Sequence, residues 1–241
     1  MVAKTSASKL LKNLREDLQD EYDPYLWSDS ELLRYIDGGQ IEFCRKGIPI
    51  FDSSSPLTRL QVTAGKPDLP YHESILDVKS ALARYQNEVG GPYTYSDLVL
   101  STHNHFLARM PLHARDYGAT RGGESLMFST GEPFDIFLDV DQNALRLARI
   151  PDRDFTVLLS VERLPELEVN DCDVPIEVHR ANHPAVLAWA AYQAFLRQDS
   201  ETFDPQAAAR FKMAFDDYAT QAQDDKLRRH STPGPAHYGG I

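Results

Sequence analysis

The chain has 241 residues, of which 42% are hydrophobic, enough for one large folded domain or two small ones. Its formal net charge of −11 argues against a surface that grips nucleic acid over its whole area. No apolar run approaches the roughly 20 residues of a membrane span, and the polar N-terminus lacks the apolar segment of a signal peptide. Two cysteines far apart, Cys44 and Cys172, predict reduced thiols rather than a disulfide framework or a zinc site.

The N-terminal region predicts two helices. The first, Ser6 to Glu21, carries leucines at four-residue intervals. Ser28 is followed three residues later by Glu31, which is the capping-box pattern. The second helix is therefore predicted to begin with Ser28 as its N-cap. Within this helix, Gly38 and Gly39 lower the helix propensity. Their presence indicates a close helix crossing, a kink or an early end of the helix.

From residues 48 to 178 the apolar period falls toward two, which is typical of strands. Alternation covers 57–63 and part of 75–85, although the second segment is also compatible with a helix. Residues 98–110 predict one long strand or two. The clearest segment, 133–164, predicts a three-stranded antiparallel meander with polar turns.

Two further helices are predicted, from Asn182 to Arg197 and from Asp204 to Lys226. Each begins with a side chain that can cap a helix and with a proline near the first helical position. The second helix has an apolar stripe formed by Ala208, Phe211, Phe215, Tyr218 and Ala222. Because the connection is short, the two helices are expected to pack antiparallel.

The predicted fold class is α+β, with N- and C-terminal helices in one bundle, a β-rich insertion and an extended C-terminal arm. The bundle halves are residues 1–47 and 181–226, the insertion is 48–180, and the arm is 227–241. The arm is rich in proline and glycine and lacks a core-forming pattern, so it is expected to need a partner surface to become ordered.

Two histidines, His103 and His105, alternate as metal ligands on one face of a strand would. No third ligand follows at a suitable spacing, because His113 and Asp116 lie beyond Pro111. We therefore expect no metal, no cofactor and no enzymatic activity. Two alternatives stay open: a metal-dependent hydrolase with a site near His103 and His105, and a monomeric binding module on the β-rich insertion, such as a carbohydrate binder.

Two other segments have only the composition of a ligand site. Gly122, Gly123 and Glu124 lack the spacing of a phosphate-binding loop, which favours a simple loop bend. Asp139 and Asp141 flank a turn without the glycine and the distant glutamate of a calcium loop, which favours a role in capping a hairpin.

Three segments carry a family resemblance. Tyr25–Ile36, which reads Tyr-Leu-Trp-Ser-Asp-Ser-Glu-Leu-Leu-Arg-Tyr-Ile, resembles the opening motif of head–tail adaptor (connector) proteins of tailed bacteriophages. Leu145–Pro165 is similar to their strand pattern, although Ala148 and Arg149 depart from it at one of the two usual prolines. Ile176–Pro184 and the Ala-rich helices look like their closing segment. Residues 65–130 show no resemblance to this family.

The resemblance implies a helical bundle with a β insertion that assembles as a twelvefold ring beneath the portal protein and joins the capsid vertex to tail or tail-tube (nozzle) proteins. It places the chain in the virion neck, assembled in the host cytoplasm, with no membrane contact. Docking of a C-terminal arm onto the portal is typical of the group. The residues assigned to that arm are Arg228, Arg229, Pro233, Pro235 and Tyr238.

Acidic pairs on the last helix have two interpretations. Asp216, Asp217, Asp224 and Asp225 are most simply a solvated helix face. In a ring that passes genomic DNA without specific binding, the channel is expected to repel phosphate. The same four residues are then candidates for the channel wall.

Overall fold

The computed structural model describes residues 5–86, 91–102, 130–141, 143–199 and 202–230. Within these ranges the protein is α+β, with four α-helices and an eight-stranded mixed sheet. The chain divides into two compact units. Residues 1–50 and 164–241 form a helical unit, and residues 51–163 form a sheet unit.

The helical unit contains α1 (Ala7–Leu18), α2 (Asp29–Arg45), α3 (His183–Phe195) and α4 (Pro205–His230). Helix α1 ends earlier than predicted because Gln19 adopts a left-handed conformation with φ +57°. The predicted capping box of α2 is confirmed. The Ser28 hydroxyl accepts the N–H of Glu31 at 3.4 Å, and the Glu31 carboxylate accepts the N–H of Ser28 at 3.0 Å.

The helix-capping predictions for α3 and α4 have opposite outcomes. The Asn182 side chain caps no N–H group among the described residues, so that prediction is wrong. A 3-10 turn precedes α3 instead, and there His179 accepts the N–H of Ala181 at 3.2 Å. Asp204 does cap α4, because its carboxylate accepts two N–H groups of the first turn at 2.9 and 3.0 Å.

Helix α4 corrects two predictions. Phe215 is fully buried, but Tyr218 is 42% exposed, and Ala219 takes its place on the buried face. The helix also continues past Lys226 to His230, so the predicted extended arm is wrong for its first four residues. Leucine and arginine there are good helix formers, and basic side chains near a helix C-terminus interact favourably with the helix dipole.

All four helices contribute to one hydrophobic cluster. Its largest fully buried side chains are Trp27, Phe43, Phe215, Leu10, Leu14, Leu32 and Ile36. Helices α2 and α3 cross closely at Gly39, where an added Cβ would lie 2.8 Å from the Val186 carbonyl oxygen. Gly39 therefore marks a close crossing, and α2 continues beyond both glycines to Arg45.

The strands are β1 (Ile50–Asp52), β2 (Arg59–Val62), β3 (Asp68–Pro70), β4 (Ile75–Gln86), β5 (Tyr93–Ser101), β6 (Asp135–Asp141), β7 (Ala144–Leu147) and β8 (Phe155–Arg163). Their order in the sheet is β1-β8-β4-β5-β6-β7-β3, and β2 also pairs with β8. One face of this curled sheet buries a second hydrophobic cluster, which includes Val157, Leu159, Val161, Ala83 and Ile136.

The predicted meander is wrong beyond its first hairpin. Strands β6 and β7 do pair antiparallel, with Asn143 in the left-handed region at the turn. Strand β8, however, pairs with β4 and β2 rather than with β7. The segment that was also compatible with a helix is therefore the long strand β4, and β5 and β6 run parallel.

Candidate functional site

Most of the sequence-predicted chemical residues lie outside the described part of the chain. These are His103, His105, His113, Asp116, Gly122, Gly123, Glu124, Pro233, Pro235 and Tyr238. Asp139 and Asp141 lie at the end of β6, before the turn into β7. Among the described residues, no three metal-ligating side chains are grouped closely enough to hold an ion, and no helix is long and apolar enough to cross a membrane.

The four acidic residues of α4 fall into two environments. Asp216 forms ion pairs with Lys212 at 2.7 Å and with Lys46 at 3.1 Å, and these lysines hold the pKa of its carboxyl below the usual value. Lys46 directly follows α2, so Asp216 links α4 to the end of that helix. The exposed members of the set are Asp217, Asp224 and Asp225.

The loop between α1 and α2 is organised around the buried guanidinium of Arg15. This group pairs with Asp20 at 2.7 Å and with Asp29 at 2.5 Å. It also donates to the Trp27 carbonyl at 3.0 Å and lies 3.8 Å from the ring centroid of Tyr25. Five donors in a planar fork let one arginine fix several parts of a loop at once.

The same loop holds three large apolar side chains in solvent. Tyr22 is 85% exposed, Tyr25 48% and Leu26 43%. The loop is fixed from a second side, because Arg197 at the end of α3 donates to the Leu26 carbonyl at 3.2 Å. Exposed apolar groups on a well-ordered loop are typical of protein-contact surfaces.

A groove of about 530 Å³ opens where α1 and α3 end and α4 begins. Its apolar lining consists of Leu18, Phe195, Ala207, Phe211 and Ala214, and its polar lining of Asp17, Gln19, Asp204 and Arg210. Burial, and then the charge of Glu16, raise the pKa of Asp17. Two further exposed side chains follow α3, Leu196 and Phe203. We call Tyr22, Tyr25, Leu26, Leu196 and Phe203 the apolar end surface.

Sequence reasoning missed this surface. A signal was present, because Tyr22, Tyr25 and Leu26 are bulky residues in a break that contains Pro24, where no regular element buries them. For Arg15 there was no such signal. It lies in the middle of a leucine-rich helix, and only the folded loop shows what it contacts.

A second exposed face lies on the sheet unit. Tyr93, Tyr95 and Val99 alternate along β5 and are 49%, 57% and 43% exposed. The Arg84 guanidinium on the neighbouring strand lies 4.7 Å from the Tyr93 ring centroid and donates to the Thr156 hydroxyl at 3.4 Å. This face can stack and donate hydrogen bonds, but it carries no grouping suited to catalysis among the residues described.

Comparison with known protein families gives a match over most of the chain. The family model with the description SU10 adaptor protein matches residues 5–237. The match therefore covers nearly the whole sequence and includes both the helical and the sheet unit. A comparison with curated proteins finds no match.

Proposed function

We propose, from the premise that this chain belongs to the SU10 adaptor protein family, that it joins the portal vertex of a phage head to the tail. The family gives it a structural role as a phage adaptor. The observation that carries the proposal is the match over residues 5–237, since a family model that spans both units concerns the whole chain rather than a shared motif.

The proposed assembly is a twelvefold ring in the virion neck, beneath the portal and above tail or tail-tube (nozzle) proteins, built in the host cytoplasm. Residues 1–47 and 181–226 are proposed to act in it as two halves of one helical bundle, which residues 164–180 and the last turn of α4 extend, and residues 51–163 act as the insertion. The shared cluster of α1, α2, α3 and α4 supports the bundle. The apolar end surface supports protein contacts, because exposed bulky side chains on a loop held by hydrogen bonds can be buried against a partner.

Genomic DNA passes through the proposed ring without specific binding. The proposed channel wall includes three exposed carboxylates, Asp217, Asp224 and Asp225. Asp216 contributes less charge there, because two lysines neutralise it. The net charge of −11 supports a channel that repels phosphate.

The C-terminal residues are proposed to anchor the ring on the portal. Arg228 belongs to the last turn of α4, where it lies 3.9 Å from Asp225, and Arg229 follows in the same turn. The end of α4 thus exposes Arg228, one of the basic residues of the proposed anchor. Pro233, Pro235 and Tyr238 follow it in the sequence.

Purified particles and portal complexes test the adaptor role directly. The chain should be found in virions in about the copy number of a ring, and a tagged version should retrieve the portal protein from infected cells. Electron microscopy of the particles should then place it at the neck. Particles that carry portal and tail but lack this chain would contradict the proposal.

A further inference from the structure

A small basic pocket lies on the helical unit, between α1 and the start of α3. It has a volume of about 230 Å³ and is lined by Thr5, Lys9, Leu10, Asn13, Arg180, His183, Pro184 and Leu187. Leu10 and Leu187 are buried and supply an apolar floor, whereas Lys9 and Arg180 are exposed at the rim. None of these eight described residues carries a carboxylate.

The pocket is positive in a strongly acidic protein. His183 is 8% exposed, and its Nε2 lies 3.1 Å from the Val178 carbonyl. Burial lowers the pKa of this imidazole, the hydrogen bond with the Val178 carbonyl opposes this effect only in part, and the charges of Arg180 and Lys9 lower the pKa further. The pocket also lies at the start of α3, where the helix dipole is positive and Asn182 caps no N–H among the described residues. An apolar floor with a cationic rim suits an aliphatic side chain flanked by carboxylates.

The same chain carries such a group on a rigid loop. Leu167 is 42% exposed, and its neighbours Glu166 and Glu168 are exposed as well. The Glu177 carboxylate accepts the N–H groups of Glu166 and Leu167 at 2.7 and 2.8 Å. The Asp37 carboxylate accepts the N–H of Val169 at 3.0 Å. The loop is therefore held with its apolar side chain outward, which lowers the entropy lost on binding.

We propose that the basic pocket of one copy receives the Glu166-Leu167-Glu168 loop of a second copy. Leu167 enters the apolar floor, and the flanking glutamates pair with Lys9 and Arg180. Pocket and loop are different surfaces, so the contact is heterologous and can repeat from one copy to the next, as a ring requires. The inference rests on the proposed ring and names the residues that hold it together. DNA fits the pocket less well, because a charged phosphate group gains no favourable contact with an apolar floor.

Cross-linking of the unmodified sequence tests the contact first. Equal amounts of ¹⁴N- and ¹⁵N-labelled chain are assembled on portal-bearing heads, and a carbodiimide then joins lysines to neighbouring carboxylates. We expect isotopically mixed cross-linked peptides that connect Lys9 with Glu166 or Glu168. A Lys9 link to a different protein, or mixed links that exclude Glu166 and Glu168, would overturn the self-contact.

Charge reversal gives the second measurement, the number of chains bound per head. Lys9→Glu with Arg180→Glu should lower it about tenfold or more, and so should Glu166→Lys with Glu168→Lys. All four changes together should restore it, because each pair again meets its opposite charge. The matched control on α1 is Lys12→Glu, since Lys12 is 80% exposed and outside the pocket. Circular dichroism checks that every variant is folded.

The two proposals fail in different ways. If the unmodified chain does not join the heads, the adaptor role is wrong. If it joins them and both charge-reversal pairs bind like the unmodified chain, the adaptor role stands and the pocket–loop contact is wrong. Loss of binding in both pairs without recovery in the combined variant also contradicts the contact.

Discussion

At the scale of single residues, Arg15 is a polar side chain whose loss should strongly destabilise the helical unit. Arg15 and Asp20 are both buried, and their ion pair measures 2.7 Å. Arg15→Ala leaves the Asp20 carboxylate buried without that cation, so the variant should lose about 3–5 kcal/mol of unfolding free energy. Trp27 and Trp189 both lie in the helical unit, so the tryptophan fluorescence of a urea titration measures the change.

The matched control for Arg15 is Lys12, on the same helix and close in sequence. Its side chain is 80% exposed, and its pair with Glu16 is 3.9 Å long. Lys12→Ala should change the unfolding free energy by less than about 0.5 kcal/mol. Equal losses in the two variants would show that the Arg15 ion pairs do not organise the loop.

A second residue-scale prediction concerns acid stability of the sheet unit. Burial disfavours the charge of Asp52, but the Ser54 N–H, Arg163 and Ser55 outweigh this and hold the pKa of Asp52 below its usual value. The Arg163 Nε lies 2.8 Å from the carboxylate. A depressed pKa contributes stability above the unfolded pKa of about 3.9, and this stability is lost as the pH falls toward the folded pKa.

Asp52→Asn should therefore destabilise the sheet unit at neutral pH and make its stability fall less steeply below about pH 4. Hydrogen exchange of the β8 amides, followed as a function of pH, measures this unit selectively. Asp97→Asn serves as the control, because Asp97 is exposed on the same unit. An unchanged acid profile in Asp52→Asn would show that the Arg163 pair is not coupled to folding.

At the scale of elements, the α2–α3 crossing separates two adjacent glycines. An added Cβ at Gly39 would lie 2.8 Å from the Val186 carbonyl oxygen, whereas at Gly38 the nearest atom, Trp189 Nε1, is 3.8 Å away. Gly39→Ala should destabilise the helical unit by about 1–3 kcal/mol through overpacking. Gly38→Ala should stabilise it by up to about 1 kcal/mol, because alanine favours helix over glycine.

Both glycine variants are measured by chemical denaturation followed by tryptophan fluorescence. The two substitutions should change the unfolding free energy in opposite directions. Because both glycines lie in one helix and have the same intrinsic propensity, this difference reports the close approach of α3 at Gly39. If both substitutions stabilise the protein, the two helices do not approach each other as closely as the structure shows.

The elements predicted well are those decided by local chemistry. The Ser28–Glu31 capping box and the Asp204 cap involve residues within one helical turn, so the sequence alone identifies them. The partner of β8 depends on residues far away, since Ala83 of β4 lies opposite Val157. An alternating pattern predicts a strand but does not specify its neighbour, which is why the meander was wrong.

The candidate site was less predictable than the fold. Helix spacing predicts which residues are apolar neighbours, but it placed Tyr218 on the buried stripe where Ala219 lies. A tyrosine keeps its hydroxyl in water at little cost, so its exposure depends on the crossing of neighbouring helices. The Arg15 contacts extend over 14 residues of an irregular loop, and the basic pocket combines residues from both ends of the sequence, so no local pattern contains them.

At the scale of the whole molecule, the last eleven residues decide whether attachment depends on the arm or on the folded units. Helix α4 ends at His230, so a cut after this residue leaves every described helix and strand intact. If these residues anchor the ring as proposed, the portal surface must supply contacts that exceed the entropy cost of fixing each residue, about 1–2 kcal/mol. We propose Tyr238 as the main anchor, because an aromatic ring buries a large area with few rotors.

We expect the chain that ends after His230 to be folded, with an unchanged denaturation midpoint, and to bind portal-bearing heads far more weakly than the full chain. The measurement mixes each protein with such heads and scores attachment and DNA retention. Tyr238→Ala in the full chain should reproduce much of the loss, whereas Ser231→Ala, which removes only a hydroxyl from the same segment, should not. Normal docking by the truncated chain would move the anchor to the folded units, where the apolar end surface offers exposed apolar side chains.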